Sequence, residues 1–382
     1  MFSHRASIDS ALRSFRLDGR MLCYNSFVPK LYNWCLSMGF SPGKIMPSRA
    51  FCSDESQGFP IILIAKHFGA FPFNHGRVGG IVSLERHGPH ADHGKDLLLV
   101  QASHVGYDPI RGEFGSYRRL HTEHTGNTCA CGKVGHTLAW YREQYAFACE
   151  NIRLIRSAGQ PAVLIDNQLL TSARAQGLFL VHGNLIHAAT EHELPQPLEA
   201  RSTGLLYRAA ATLVDRLGMD AWPSEGSVTI GNRLAAEDFY FQRDLGSANS
   251  DQNQLERNLL APMPWILTAP HPLLTAACAN TLAEFDRTYR SLALSPAMRG
   301  KNLLFLAGVN IDISPLEGED FPLTKFAPWA AFLQRADGTR ELLEQDDVLE
   351  RLGAHSADNP AQLALDRSIE TMAQRNEVSV RL

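Results

Sequence analysis

Short apolar segments alternate with longer amphipathic ones along much of this chain. Segments 59–66, 78–84, 97–103 and 162–166 are apolar or β-rich and are separated by glycine, proline and polar clusters, which predicts strands. Segment 133–158 carries apolar side chains at helical spacing and predicts a long helix, and segment 302–313 predicts a further strand. Alternating strands and helices are typical of an α/β fold whose sheet is partly parallel.

The ends of the chain differ in pattern from its middle. From residue 7 to about residue 40 the apolar positions recur near helical spacing, so residues 1–40 predict an N-terminal helical segment. Residues 41–335 form the predicted α/β domain. Residues 336–382 are rich in charged side chains and predict a tail that is solvated or faces a partner.

Composition excludes several classes of function. The 382 residues are 45% apolar and 20% charged, with a formal net charge of -4, so the excess of lysine and arginine that phosphate-backbone binding requires is missing and nucleic acid is not an expected partner. The apolar runs are shorter than the roughly 20 residues that span a bilayer, which argues against membrane insertion. The first residues lack an apolar signal region, so we expect a cytoplasmic protein; arginines and serines near the start make an organelle the weaker alternative.

The seven cysteines indicate reduced thiols rather than a disulfide framework, because their number is odd and no secretory signal is visible. Four lie in apolar, helix-like surroundings and are interpreted as packing residues: Cys23, Cys35, Cys149 and Cys278. Cys52, Cys129 and Cys131 remain as candidates for chemistry.

Cys52, His104 and Cys131 are the ligand types that a catalytic zinc ion needs, and three protein ligands leave a fourth tetrahedral position open. His104 follows the strand-like run 97–101, and Cys131 directly precedes the predicted helix, whose N-terminus favours a thiolate. Each residue could instead be an ordinary core residue, and a closed four-ligand structural site is a further alternative. Cys129, two residues before Cys131, is the poorer candidate to close it.

Three blocks of sequence resemble the signature of one family. They are Cys-Ser-Asp-Glu at 52–55, Ser-His-Val-Gly-Tyr-Asp at 103–108 followed by two glycines and an arginine pair, and Cys-Ala-Cys-Gly at 129–132. In this order they resemble the limiting-CO2-inducible protein B/C (LCIB-like) family, a branch of the β-type carbonic anhydrases sometimes called the θ class. Segment 302–313 resembles the family's C-terminal strand. The likeness runs from about residue 40 to about residue 330 and is patchy over 185–300.

The resemblance implies a β-carbonic-anhydrase-like α/β/α sandwich around a mainly parallel sheet, assembled as a homodimer. It also implies that Cys52, His104 and Cys131 bind Zn²⁺ and that a zinc-bound hydroxide hydrates CO2 reversibly to bicarbonate. Two alternatives stay open. One is a non-catalytic member of the family that acts as a partner subunit or a bicarbonate-responsive regulator, and the other is a different zinc hydrolase or lyase.

The resemblance also assigns a role to Asp54, the second residue after Cys52. In this family pattern the aspartate pairs with an arginine, and a bidentate guanidinium keeps the carboxylate away from the metal. Arg119 matches that arginine best, Arg118 second and Arg49 a distant third. Without such a partner, Asp54 could be the fourth ligand of a closed site.

Two further features surround the predicted site. His87, His90 and His93 recur every third residue in a loop and are interpreted either as a proton-shuttle or metal-entry surface or as ordinary exposed polar residues. The glycines of Gly-Arg-Val-Gly-Gly at 76–80 predict a tight turn or a close backbone approach over the metal pocket.

Overall fold

The structure of the protein is a computed structural model. It describes residues 2–84, 89, 95–118, 127–170, 176–187, 204–246, 251–319 and 322–374, with the backbone alone for residues 2–6, 127, 170, 251 and 252.

Helices and strands alternate along the described residues. The helices are α1 Phe2–Ser14, α2 Tyr24–Ser37, α3 Gly58–Phe68, α4 Gly132–Asn151, α5 Asn167–Leu170, α6 His182–Leu185, α7 Ala211–Leu217, α8 Asp251–Leu260, α9 Met263–Thr268, α10 Pro272–Leu294, α11 Gln345–Gly353 and α12 Leu365–Gln374. The strands are β1 Leu22–Cys23, β2 Ile45–Ala50, β3 Phe73–Asn74, β4 Asp96–Asp108, β5 Glu113–Phe114, β6 Ser116–Arg118, β7 Asn127–Cys129, β8 Ile152–Ser157, β9 Gln160–Asp166, β10 Gly177–Leu180, β11 Gly204–Arg208, β12 Ser227–Thr229, β13 Phe239–Gln242, β14 Leu303–Ile313, β15 Leu323–Gln334 and β16 Arg340–Leu343.

The chain divides into two compact units, which do not coincide with the segments 1–40, 41–335 and 336–382 expected from the sequence. The first unit comprises Met1–Ser14 and Gly132–Ala279, and the second comprises Phe15–Cys131 and Asn280–Leu382. In the first unit, β11, β9, β8 and β12 form an antiparallel sheet in that order, and β10 pairs with β13.

The second unit is built on a sheet with the strand order β1-β15-β14-β4-β2-β3. Its four strands β14, β4, β2 and β3 are parallel to one another, while β1, β15 and β16 extend one side in antiparallel pairs. Strand β4 lies in the middle, and nearly all of its residues are buried. A continuous apolar run such as 97–100 fits a strand that is covered on both faces.

Alternate residues of the central strands face two separate cores. Leu98 and Leu304 belong to a cluster with residues of α2, α3 and α11, whereas Leu99 and Phe305 belong to a second cluster that Leu292 of α10 helps to form. Because successive side chains of a strand point to opposite faces, the helices cover both faces of the sheet. The second unit is therefore an α/β/α sandwich, and the predicted fold class is confirmed.

The prediction of a strand over 59–66 is wrong, because these residues form α3. Pro60 lies in the first turn, where its missing N–H costs nothing, and Gly69 ends the helix in a left-handed conformation with φ 75. Short apolar runs do not distinguish a buried strand from a buried helix. Segment 78–84 is not a strand either, since residues 78–80 form a 3₁₀ turn.

Other segments match their predictions in part. Strands are found at 97–103 and 162–166 as predicted, within β4 and β9, and the strand predicted over 302–313 is β14, which begins one residue later. The long helix predicted over 133–158 ends at Asn151, where β8 begins. The charged segment after 335 is not simply a solvated tail, because β16 pairs with β15 and α11 buries Val348 and Leu352 in the core. Helix α11 has a narrow apolar face, and the many charged residues around it made this face hard to recognise in the sequence.

Among the described helices, none has an apolar stretch long enough to cross a membrane.

Candidate metal centre

Three predicted ligands converge at one edge of the parallel strands. Cys52 lies two residues beyond the end of β2, His104 lies in the second half of β4, and Cys131 lies between β7 and α4. Their ligand atoms are all within 4.8 Å of one another, and the two sulfurs are 3.9 Å apart. All three residues are buried. Carboxyl ends of neighbouring parallel strands meet at the same edge, which brings the first two ligands together although 51 residues separate them.

Asp312 fixes the orientation of the His104 ring. The two residues lie on adjacent parallel strands, where Asn310 is the register partner of His104, and Nδ1 of His104 is 2.7 Å from Oδ2 of Asp312. A carboxylate can only accept, so Nδ1 carries a proton and Nε2 is the ring nitrogen left for a metal. That nitrogen, Nε2, is buried without a hydrogen-bond partner among the described residues.

Asp312 is held in turn by three other side chains. Ser56 Oγ donates to Oδ2 at 2.8 Å, Thr324 Oγ1 donates to Oδ1 at 3.2 Å, and Gln57 Nε2 donates to both oxygens at 3.0 and 2.9 Å. Every one of these groups is buried. A buried carboxylate needs such donors to offset its lost hydration, and together they leave Asp312 with a single position.

The hydrogen-bond chain continues away from the metal centre. Gln57 uses its amide nitrogen on Asp312, so its Oε1 accepts from Asn310 Nδ2 at 2.7 Å, and Asn310 Oδ1 accepts from the Tyr24 hydroxyl at 2.8 Å. The carboxylate at one end therefore determines the direction of each amide in the chain. Burial and the neighbouring Asp312 raise the pKa of Tyr24 well above its usual value, so the hydroxyl stays a donor.

The two thiols are not equivalent. The hydrogen bond from Cys131 lowers the pKa of Cys52, and the ring of His104 and the backbone amide of Gly79 act in the same direction. The same hydrogen bond between the sulfurs, together with desolvation, raises the pKa of Cys131. Cys52 therefore has the lower pKa of the two thiols.

Desolvation lowers the pKa of His104, but the hydrogen bond to Asp312 and the two neighbouring sulfurs outweigh it and raise the pKa well above its usual value. The metal-free centre accordingly holds a protonated imidazole beside a thiolate. A cation that replaces this proton would meet the same negative groups.

The glycine segment lies against the ligands as predicted. The N–H of Gly79 donates to Cys52 Sγ at 3.2 Å. Gly79 and Gly80 have φ values of 72 and 82, and a Cβ on Gly80 would lie 2.2 Å from the carbonyl oxygen of Ala102. Side chains are excluded at this close approach, which explains the glycines.

The residues present fit a metal ion. Two sulfurs and one imidazole nitrogen converge, and the buried Nε2 of His104 lacks any other partner among the described residues. Sulfur and imidazole ligands in a tetrahedral arrangement are typical of zinc. The buried group can therefore hold a metal ion, and its donors favour zinc.

The structure places the remaining candidates differently. Asp54 is half-buried and caps a 3₁₀ turn, where it accepts from the amide of Ser56 at 3.4 Å. Arg118 donates its guanidinium to the carbonyls of Pro315 and Leu316 at 2.5 and 3.1 Å. Arg119 lies outside the described residues, as do His87, His90 and His93.

Two lesser candidates also have defined positions. Arg49 lies 6.0 Å from the ring centroid of Phe51, and its buried Nε has no hydrogen-bond partner in the described part of the chain. Desolvation lowers its pKa. Cys129 is exposed and its sulfur is directed to the carbonyl of Cys131 at 3.8 Å, so it lies outside the converging group as the sequence predicted.

Sequence reasoning missed Asp312 and the residues that hold it. A signal was present, because Asn310 and Asp312 interrupt an otherwise apolar strand at a spacing of two and so share one face. Ser56 and Gln57 directly follow the Cys-Ser-Asp-Glu block. Nothing in the sequence indicated that these separate segments meet.

No family model and no curated protein matches the chain. Among solved structures, PtLCIB4, described as a homologue of the limiting CO2-inducible protein LCIB, has 13% sequence identity and a TM-score of 0.48, with 88% of this chain and 98% of that chain covered. LCIB itself has 12% identity and a TM-score of 0.43, with 86% and 95% covered. The chain is similar to both. At such low identity the chemistry must be judged from the residues of this chain.

Proposed function

We propose that the protein is a zinc-dependent carbonic anhydrase of the LCIB-like kind, related to the β-type enzymes, which converts CO2 and water reversibly to bicarbonate and a proton. The observation that carries the proposal is the buried convergence of Cys52, His104 and Cys131, with the Nε2 of His104 free of any other partner in the described part of the chain. The order of the sequence blocks around these ligands supports it.

The three candidate ligands found among the described residues match a catalytic zinc site better than a structural one, which is closed by four. When bound, zinc supplies Lewis acidity, which lowers the pKa of water from about 15.7 to roughly 7 and so makes hydroxide available at neutral pH. The protein's own part is to hold the ion through two thiolates and a neutral imidazole, and Asp312 keeps that imidazole in the required tautomer.

Asp54 has the proposed role of orienting the attacking oxygen. Its carboxylate lies on the turn that begins two residues after Cys52, and an anion there can accept a hydrogen bond from the reacting hydroxyl. An arginine must hold this carboxylate back from the ion, and Arg119 is the proposed partner. Arg118 is the weaker choice, since its guanidinium is occupied by two carbonyls.

A homodimer in the cytoplasm remains part of the proposal, and CO2 and bicarbonate are the proposed ligands. No second macromolecular partner is proposed.

The test is stopped-flow CO2 hydration by the zinc-loaded full chain, with zinc measured on the same sample. Activity should be present in the wild type and in Cys129→Ser, and it should be lost with the metal in Cys131→Ser. The rate should rise between about pH 6 and about pH 9.5, because the deprotonated form of water is the nucleophile.

Zinc-loaded protein without activity at any of these pH values would overturn the proposal and favour a non-catalytic role. Activity on an organic ester or amide in place of CO2 would favour a different zinc hydrolase. A flat pH profile with measurable hydration would remove hydroxide formation from the mechanism.

A further inference from the structure

Residues 79–82, here called the glycine strap, connect the metal centre to α10. At one end of the strap the amide of Gly79 donates to Cys52 Sγ at 3.2 Å. This contact is a backbone hydrogen bond to the sulfur of a candidate metal ligand. Its geometry depends on where the strap is held.

Three side chains of α10 hold the strap by its backbone. Asn280 Nδ2 donates to the carbonyl of Gly79 at 2.9 Å, Glu284 Oε2 accepts from the amide of Val82 at 2.8 Å, and Arg287 Nη2 donates to the carbonyl of Val82 at 2.5 Å. Asn280 and Glu284 are completely buried. Arg287 also bonds Glu284, which neutralises the buried carboxylate.

Strand β4 holds the strap from the opposite side. Gln101 Nε2 donates to the carbonyl of Gly80 at 3.0 Å, and the backbone of Gly80 packs against Ala102 with no room for a side chain. Asn280 Nδ2 also donates to Ser103 Oγ at 2.9 Å, beside the ligand His104. The strap is therefore clamped between α10 and the strand that carries the histidine.

We propose that Asn280 and Glu284 are positioning residues of the metal centre, which keep the amide of Gly79 directed at the sulfur of Cys52. This inference rests on the proposed metal site. An N–H donor withdraws charge from a thiolate, so Cys52 donates less electron density to a bound ion than it would without the strap. The strap also restricts the sulfur to one position, which preorganises the site for the metal.

The buried amide of Asn280 is the group whose substitution tests the strap most directly. Its hydrogen bonds to Gly79 and Ser103 both use Nδ2, so both of these partners require a donor at that position. Asn280→Asp keeps the shape but replaces the donor with a carboxylate oxygen, which repels the carbonyl of Gly79. The strap should then move away from Cys52.

Thr281 provides a matched control on the same helix. Its buried Oγ1 donates to the carbonyl of Gly308 on β14 at 2.9 Å, and this bond does not involve the strap. Thr281→Val removes one buried hydrogen bond of α10 and so disturbs packing to a similar degree. An effect of helix packing alone would appear in both variants.

The experiment replaces zinc by Co²⁺ in the full-length protein and records the thiolate-to-cobalt charge-transfer band, with zinc affinity measured by chelator competition. In Asn280→Asp the band should move to longer wavelength, because the thiolate donates more strongly without the N–H. Zinc affinity should fall by about 10–100-fold, because the strap no longer restricts the sulfur to one position. In Thr281→Val the band and the affinity should be those of the wild type. Asn280→Ser, whose hydroxyl is too short to reach the strap, serves as the second variant if Asn280→Asp does not fold.

The outcomes separate this inference from the proposed function. A wild-type protein that binds Co²⁺ without a charge-transfer band would overturn the metal site and the proposed function with it. A normal wild-type band that both Asn280 variants leave in place, or that Thr281→Val shifts as far, would overturn only the role of the strap. A band that shifts in the Asn280 variants, when the zinc-loaded wild type hydrates no CO2, would support the strap and reject the carbonic anhydrase.

Discussion

Nδ1 of His104 donates to Oδ2 of Asp312 over 2.7 Å, and neither side chain is exposed to solvent. The two residues are 208 positions apart in sequence and lie on adjacent parallel strands. Their hydrogen bond determines which ring nitrogen is available to a metal. A residue remote in sequence thus decides which atom of His104 can act as a ligand.

The three ligands can be tested by metal analysis. Cys52→Ser, His104→Ala and Cys131→Ser should each lose most of the zinc, because each removes one of three protein ligands. Cys129→Ser should keep the metal, since Cys129 is exposed and lies outside the group. Full zinc content in any two of the ligand variants would rule out the triad.

Asp312→Asn should weaken metal binding while leaving the ligands in place. Each oxygen of Asp312 accepts from at least two donors. In Asp312→Asn one oxygen is replaced by an amide NH2 group, which is itself a donor, so hydrogen bonds are lost in either orientation of the amide. We expect zinc affinity to fall about 10–100-fold and the free energy of unfolding to fall by about 1–3 kcal/mol.

Chelator competition and urea denaturation measure the two effects of Asp312→Asn. Thr324→Val removes one neutral donor to the same carboxylate and is the control. Equal losses of zinc affinity in both variants would contradict a special role for the bond to His104.

Tyr24→Phe tests whether the hydrogen-bond chain ends where the structure shows. The change leaves the buried Oδ1 of Asn310 without the Tyr24 donor, which should lower the free energy of unfolding by about 1–3 kcal/mol. Zinc content should not change, because Gln57 and Ser56 still hold Asp312. Denaturation by urea with parallel zinc determination is the measurement, and loss of zinc would show that Tyr24 controls the centre directly.

The affinity for zinc should increase with pH. In the metal-free centre the pKa of His104 and that of Cys131 are raised, so both hold protons at neutral pH, whereas the lowered pKa of Cys52 leaves it a thiolate. Zinc must displace about two protons, and its affinity should rise by up to about 100-fold per pH unit.

Zinc competition titrations between about pH 6 and about pH 8, with proton release followed by an indicator dye, measure this linkage. An affinity that does not change with pH would show that the ligands are already deprotonated without metal.

Asp54→Asn should retain zinc and reduce CO2 hydration, because the neutral amide no longer orients the reacting hydroxyl and no ligand is removed. Arg119→Ala should also reduce hydration, since an unrestrained Asp54 can bind the ion and close the site. Arg118→Ala is the comparison, as its guanidinium bonds the carbonyls of Pro315 and Leu316. If Arg118→Ala alone abolishes hydration with zinc bound, the pairing belongs to Arg118.

The α/β class was predictable because it depends on local patterns, whereas the three ligands were predicted from their residue types together with the resemblance of the sequence blocks to one family. Continuous apolar runs such as 97–100 predict buried parallel strands, and a thiol or an imidazole at the end of such a strand is a recognisable ligand type. The sequence by itself therefore determined the fold class and the chemistry of the donors.

Tertiary structure alone decided which polar residues serve those donors. Asp312, Gln57 and Tyr24 are distant in sequence, and their roles follow from strand register and from the burial of every partner. Segment 59–66 is a further example. Its apolar run permits a strand and a helix equally, and Gly69 together with the surrounding core selects the helix. Local patterns encode what a segment can become, whereas a hydrogen bond between remote residues exists only once the strands lie side by side.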